Sequence, residues 1–129
     1  MPVRVLIVDD SQQVAATLEI ALSNGGWDTI CADEVKAALE ILNTSPQVDA
    51  IVTDLEMPKA DGYSLITAVR AHRRCASAVI VVTSGSTAPN AEQRAMTAGA
   101  DAFFTKPYSP AAVRLELQRL MNGRGQVEP

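Results

Sequence analysis

The stretch VRVLIVDDS, Val3 to Ser11, frames the reading of the whole chain. Its β-branched run is continuous rather than alternating, the pattern of a strand buried on both faces, as in a parallel sheet. It then meets two adjacent acids, Asp9 and Asp10. Like charges at the end of a buried strand need a reason, and the rest of the chain has to supply it.

Outward from that stretch, short apolar runs alternate with segments of helical period to the far end. Val14, Leu18 and Leu22 share one helical face until Asn24 to Gly26 stops it. DTICA, Asp28 to Ala32, reads as a weaker second strand. A second helix follows through Val35, Leu39 and Leu42, with Pro46 beyond its end. A third strand is expected at Ala50 to Thr53, a third helix from Gly62 to His72, and a fourth strand in AVIVVTS, ending near Thr83. A short helix from Ala91 to Ala98 closes at Gly99, DAFFTKP carries the fifth strand, and the last helix runs from Pro110 to Gly123. Five βα units with doubly buried strands imply a doubly wound α/β fold: a five-stranded parallel sheet, right-handed crossovers and helices on both faces. Residues 1–122 are expected to form the domain, and 123–129 (GRGQVEP) a flexible tail or the start of a linker.

Composition narrows the function classes. The 129 residues carry a formal net charge of −4, which argues against direct nucleic-acid binding by this segment. No run approaches the roughly 18 apolar residues of a membrane span, and the amino terminus is too short in apolar residues for a signal peptide. Cys31 and Cys75 stand apart, with no metal-ligand spacing, and read as buried or half-buried thiols in a reducing compartment, hence a cytoplasmic location.

Ligands of doubly wound sheets bind outside the carboxyl ends of the strands. There the sequence places Asp9 and Asp10, Asp54, Thr83 with Ser84, and Lys106 followed by Pro107. If the first and third strands are neighbours, three carboxylates converge, and two unit charges about 4 Å apart repel by roughly 4 kcal/mol at an effective dielectric near 20. Such a cluster takes up protons or holds a cation. Hard oxygen donors favour Mg2+, with Mn2+ a possible substitute, over Zn2+, whose ligands are missing, and over Ca2+, whose loop pattern is missing. Singly, Asp10 or Ser11 reads as a helix N-cap, Asp54 as a turn residue before MPKADG, Thr83 as a strand residue and Lys106 as a surface lysine. The convergence of all of them on one edge is what those readings do not explain.

From about Arg4 to Met121 the chain resembles the receiver domain of two-component response regulators, through LIVDDS, DLEMPKADGYSL, VIVVTS and AGADAFFTKP at their mutual spacing. The resemblance implies a flavodoxin-like sheet in the order 2-1-3-4-5. It implies that Asp54 accepts a phosphoryl group from a histidine kinase or a histidine phosphotransfer protein, and that Asp9, Asp10, Asp54 and the backbone carbonyl of Glu56 bind magnesium. Thr83 and Lys106 would hold the phosphoryl oxygens, and Phe103 would be the aromatic switch coupled to Thr83. The family often has tyrosine there, so a phenylalanine implies a steric switch. The Lys106–Pro107 peptide would be cis, and Glu56 and Gly85 would set how long the phosphoryl group survives. The chemistry agrees: a carboxylate is a weak nucleophile, so attack on phosphorus needs cations to neutralise the transferring group. The domain would catalyse its own phosphorylation and dephosphorylation only.

Two other readings remain open at this stage. A phosphatase working through an aspartyl intermediate finds a second acid in Glu56 but no cap domain. An unphosphorylated interaction module does not account for the complete polar set. RAHRR, Arg70 to Arg74, is expected to cap its own helix and face solvent, with His72 at the surface. The downstream effector, the pathway, the oligomeric state, and the choice between a stand-alone receiver and part of a larger regulator are not written in the sequence.

Overall fold

The computed structural model describes residues 3–45, 47–86 and 88–123. Pro46 and nearly all of the expected tail lie outside the described residues. The elements run β1 Arg4–Val8, α1 Gln12–Ser23, β2 Asp28–Ala32, α2 Val35–Thr44, β3 Ala50–Asp54, α3 Gly62–Arg70, β4 Val79–Ser84, α4 Ala91–Ala98, β5 Ala102–Thr105 and α5 Pro110–Gly123. The five strands are all parallel, in the order β2-β1-β3-β4-β5. This is the expected doubly wound, flavodoxin-like sheet.

The continuous apolar runs are continuous because the central strands have no exposed face. β3 and β4 are buried along their whole length, and β1 from Val5 onward. DTICA is weaker because β2 lies at the sheet edge, where Asp28 and Cys31 are exposed. Two apolar layers sandwich the sheet. One joins Val5, Ile7, Val52, Val79 and Val81 to Leu18 and Leu22 of α1 and Val113, Leu117 and Met121 of α5. The other joins Leu6, Val8, Ile51, Ile80 and Val82 to α2, α3 and α4. Each fully buried leucine or isoleucine contributes about 1.5–3 kcal/mol relative to exposure.

Four local details depart from the sequence expectations. β3 extends one residue further, to Asp54 itself. α3 stops at Arg70, because the chain tightens there: His72 N–H donates to the Val69 carbonyl, an i→i−3 turn, instead of continuing the α-helical ladder. The arginines at and beyond its end serve other elements. Arg74 donates to the carbonyls of Leu42 and Asn43 and so caps α2, while His72 Nε2 lies 2.9 Å from Asn43 Oδ1. Arg70 donates to the carbonyls of Ala76, Ala78 and Gly99 and pairs with Asp101 at 2.9 Å. One guanidinium thereby ties the end of α3, the start of β4 and the α4–β5 turn together. Gly99 has φ +127°, a backbone conformation that favours glycine, and a Cβ there would also meet the Arg70 side chain. Of the two thiols, Cys75 is buried and Cys31 is exposed rather than half-buried.

Candidate functional site

Strand parity decides where the chemistry goes. Val5 and Ile7, Ala50 and Val52, Val79 and Val81, and Ala102 and Phe104 all pack on the α1–α5 side of the sheet. Continuing each strand by two residues puts Asp9, Asp54, Thr83 and Lys106 on that same side at the carboxyl end. The ladder persists that far: Asp9 N–H donates to the Ala32 carbonyl, Leu55 N–H to Thr83 and Lys106 N–H to Ser84. Four residues from four strands therefore meet without any loop having to fold back.

Asp9, Asp54 and Thr83 are buried, at 3%, 3% and 1% exposure. Asp10 is exposed. Lys106 Nζ donates to Asp54 Oδ2 at 3.0 Å and reaches Asp9 Oδ2 at 3.5 Å. Asp9 Oδ1 accepts from Ser11 N–H, and the N-cap of α1 is Ser11, whose hydroxyl accepts from Val14 N–H. Asp10 is thus released from capping. One carboxylate oxygen from each of Asp9, Asp10 and Asp54 lies within 4.8 Å of the others, a spacing at which the three could share a metal ion. The donor set is all hard oxygen, which suits Mg2+ or Mn2+ rather than a thiolate- or imidazole-seeking metal.

The electrostatics of Asp54 are balanced between opposing causes. Burial raises the Asp54 carboxyl above its ordinary pKa, the Lys106 ammonium works to lower it, and the Asp9 charge raises it again. For Lys106, burial works to lower the pKa, but the pairing with Asp54 and Asp9 outweighs it, and the net shift is upward. The ammonium is therefore firmly charged at neutral pH.

The loop after β3 is pressed against the site. Gly62 N–H donates to the Leu55 carbonyl, and a Cβ at Gly62 would run into the Asp54 carbonyl oxygen and approach Leu55 Cα to 2.9 Å. Glu56 N–H donates to Asp54 Oδ1 at 3.2 Å. The Glu56 side chain does something the sequence did not announce: its carboxylate accepts from Ser84 Oγ at 2.7 Å and from Gly85 N–H at 3.1 Å, tying the β3–α3 loop to the end of β4. Only the adjacency of the β3 and β4 ends hinted at it.

The rings of DAFFTKP divide as strand alternation requires. Phe103 is half-buried on the α2–α4 side, and Phe104 packs on the α1–α5 side. Thr83, following Val79 and Val81 in phase, shares its face with Phe104, its register partner on β5, and not with Phe103. The Lys106–Pro107 peptide is cis. Beyond it, Tyr108 sets its ring edge-on to Phe104, with centroids 6.3 Å apart. Burial raises the Tyr108 pKa, the Asp9 and Asp54 charges add to the rise, and Lys106 and Thr83 oppose it. Tyr108 was not among the residues the sequence singled out. The signal available was a hydroxyl-bearing aromatic two residues after the lysine. Lys106, Pro107 and Tyr108 also line one wall of a groove of about 480 Å³, with Gln13, Val14 and Thr17 of α1 opposite.

Comparison with known proteins places this geometry in company. The model of the response regulator receiver domain family matches residues 5–118. The two-component response regulator ORR11 of Oryza sativa subsp. indica is 32% identical over 120 residues, covering 93% of this chain and 82% of the relative. The transcriptional regulatory protein PrrA of Mycobacterium tuberculosis is 34% identical over 122 residues, 95% of this chain and 51% of that protein. Among solved structures, the chemotaxis response regulator CheY4 of Vibrio cholerae superposes with a TM-score of 0.84 at 27% identity, covering 93% of this chain and 99% of that one. A response regulator receiver protein from Pseudomonas putida gives 0.84 at 31% identity, over 93% and 98%.

Proposed function

Because the chain belongs to the response regulator receiver domain family, a family of phosphoryl-accepting signalling switches rather than conventional enzymes, we propose that Asp54 is its phosphoacceptor, supplied by a histidine kinase or a histidine phosphotransfer protein. The observation that carries the reading is the pairing of Lys106 with Asp54 at 3.0 Å inside a cluster of three carboxylates. A cation already seated on a buried carboxylate has structural value, but three acids gathered beside it at an open groove do not serve stability.

In this reading Asp54 Oδ attacks the phosphorus of a phosphohistidine in line. The P–N bond breaks, its electron pair leaves with the imidazole, and an acyl phosphate forms. Lys106 transfers its contact from Asp54 to a phosphoryl oxygen and stabilises charge there, as fixed cations do in phosphoryl transfer. Thr83 donates its hydroxyl to another oxygen. Asp9, Asp10, Asp54 and the Glu56 backbone carbonyl would hold Mg2+, or Mn2+ in its place, which when bound neutralises the transferring phosphoryl group. The groove between α1 and Lys106 is the approach for the donor. Phe103 is the switch side chain this reading assigns, half-buried and without a hydroxyl. Glu56 and Gly85, joined by a hydrogen bond, are the pair to which this reading assigns the lifetime of the acyl phosphate. The compartment that fits two free thiols is the cytoplasm, and among the described residues no helix is long and apolar enough to cross a membrane. The domain of this reading is residues 1–122, with 123–129 as tail or linker.

The test is incorporation of one phosphoryl group from acetyl phosphate with Mg2+, followed by intact-mass spectrometry. The parent should gain one group and Asp54→Asn none. Equal labelling of the Asn variant would remove Asp54 from the role.

A further inference from the structure

Resting on the reading of the Glu56 backbone carbonyl as a metal ligand, we propose that Ser84 is a positioning residue for the metal site: it anchors the Glu56 side chain on β4 and thereby fixes the Glu56 main chain beside Asp54.

Glu56 is pinned at both ends. Its carboxylate accepts from Ser84 Oγ at 2.7 Å and from Gly85 N–H at 3.1 Å, one oxygen for each donor. Its own N–H donates to Asp54 Oδ1 at 3.2 Å. A residue held at its nitrogen and at the tip of its side chain keeps little torsional freedom, so the direction of its carbonyl is settled before a cation arrives. The loop that follows is settled too, since Gly62 N–H closes on the Leu55 carbonyl.

The anchor is itself rigid. Ser84 is 0% exposed at the end of β4, and its carbonyl accepts from Lys106 N–H at 2.8 Å. Its hydroxyl oxygen accepts from Ser86 N–H at 2.9 Å, which leaves the single serine proton for Glu56. A hydroxyl-to-carboxylate bond of this length is charge-assisted, the stronger kind. The carboxylate oxygens near enough to share a metal come from Asp9, Asp10 and Asp54, and not from Glu56. Both Glu56 oxygens are engaged on β4, so this residue is left to act through its main chain. Partners of ligands raise metal affinity in this way, by sparing the ion the cost of ordering what it binds. The role concerns affinity for the cation and is separate from the lifetime of the acyl phosphate.

The experiment is a double-mutant cycle on Mg2+ affinity, measured by calorimetric titration of the unphosphorylated protein with MgCl2, using Ser84→Ala, Glu56→Asp and the double variant. Glu56→Asp keeps the charge and the backbone carbonyl but draws the carboxylate back from Ser84 by one methylene. Ser84→Ala is expected to raise the Mg2+ Kd about tenfold, the lower end for losing the partner of a ligand. Glu56→Asp should weaken binding by a similar factor, and adding Ser84→Ala to it should change nothing further. Equal weakening by Ser84→Ala in both backgrounds, or tighter binding in the single variant, overturns the proposal. So does a Ser84→Ala protein that loses stability in urea but keeps its Kd, because the serine would then serve the fold alone. The anchoring is read separately, without metal, from hydrogen exchange at the Glu56 amide. Exchange should quicken in Ser84→Ala, and an unchanged rate overturns the proposal by itself. A parent that binds no Mg2+ while that exchange quickens would refute the metal-site reading and the role built on it, but not the anchoring. Mg2+ bound equally by the parent and Ser84→Ala would refute the proposal and leave the metal-site reading standing.

Discussion

Lys106 and Asp54, 52 residues apart in sequence, are joined at 3.0 Å at the carboxyl end of the sheet, with Asp9 as a second, longer partner at 3.5 Å. In the proposed reaction the lysine would meet the charge that develops on the transferring group, and the acid that holds it now is the one that would attack.

Removing that cation should slow the chemistry more than it harms the fold. Lys106→Met is expected to reduce the rate of acyl phosphate formation by about ten- to a hundredfold, the range for losing one preorganised charge donor. Urea unfolding should show the variant folded. A rate within a factor of about two of the parent would mean the ammonium acts only as a structural counter-ion.

The Asp54 carboxyl has a pKa raised by burial against the pull of Lys106. A carboxyl raised in the folded state contributes stability below its ordinary, unfolded pKa, and that contribution is lost as pH rises through the folded value. Without divalent metal at pH 7, Asp54→Asn should therefore have the higher Tm. The gap should close as the pH is lowered into the ordinary carboxylate range. A parent more stable than the Asn variant at pH 7 without metal would contradict the balance described for this site.

Magnesium should reverse that order. At ten times Kd, a ligand bound only by the folded state adds about 1.4 kcal/mol, so the Tm of the parent should climb with Mg2+ concentration. Asp10 is exposed and free of capping duty, so Asp10→Asn should leave the metal-free Tm nearly unchanged. It should require about tenfold more Mg2+ for the same rise, since tenfold in Kd is about 1.4 kcal/mol of lost attraction. Identical Mg2+ titrations of Tm for the two proteins would exclude Asp10 as a ligand.

Gly62 tests the packing beneath the site. A Cβ there collides with the Asp54 carbonyl oxygen and crowds Leu55 Cα, both backbone atoms with little freedom to yield. Gly62→Ala is expected to cost about 1–3 kcal/mol in urea unfolding. The displaced loop should also weaken Mg2+ binding. Full stability in Gly62→Ala would show that the β3–α3 loop is softer than its hydrogen bond to Leu55 implies.

Much of this was legible in the chain, for reasons that differ by element. β1, β3 and β4 declare themselves because a strand covered on both faces must be apolar at every position, and no helix of this length tolerates such a run without polar breaks. The acids, Thr83 and Lys106 were legible because each lies within two residues of a strand end, where topology alone brings neighbours together. What stayed hidden depends on where long side chains reach. Arg70 and Arg74 read as the basic end of α3, yet they serve carbonyls of the α4–β5 turn and of α2, partners fixed only once the helices are laid on the sheet. The hold of Glu56 on Ser84 and the edge-on meeting of Tyr108 with Phe104 depend on loop paths that no period in the sequence encodes.

The Arg70 guanidinium fixes one end of α4. It clamps the Gly99 carbonyl, just past the last turn of α4, to the base of β4. The opposite end of α4 begins at Asn90, whose side chain makes no capping bond. That end follows the segment leading on from Ser84 and Gly85, which the Glu56 carboxylate holds. α4 is therefore held at both ends by α3: Arg70 grips the carbonyl just past its last turn, while Tyr63 donates to the Ala91 carbonyl at 3.4 Å and its ring lies under the Arg94 guanidinium.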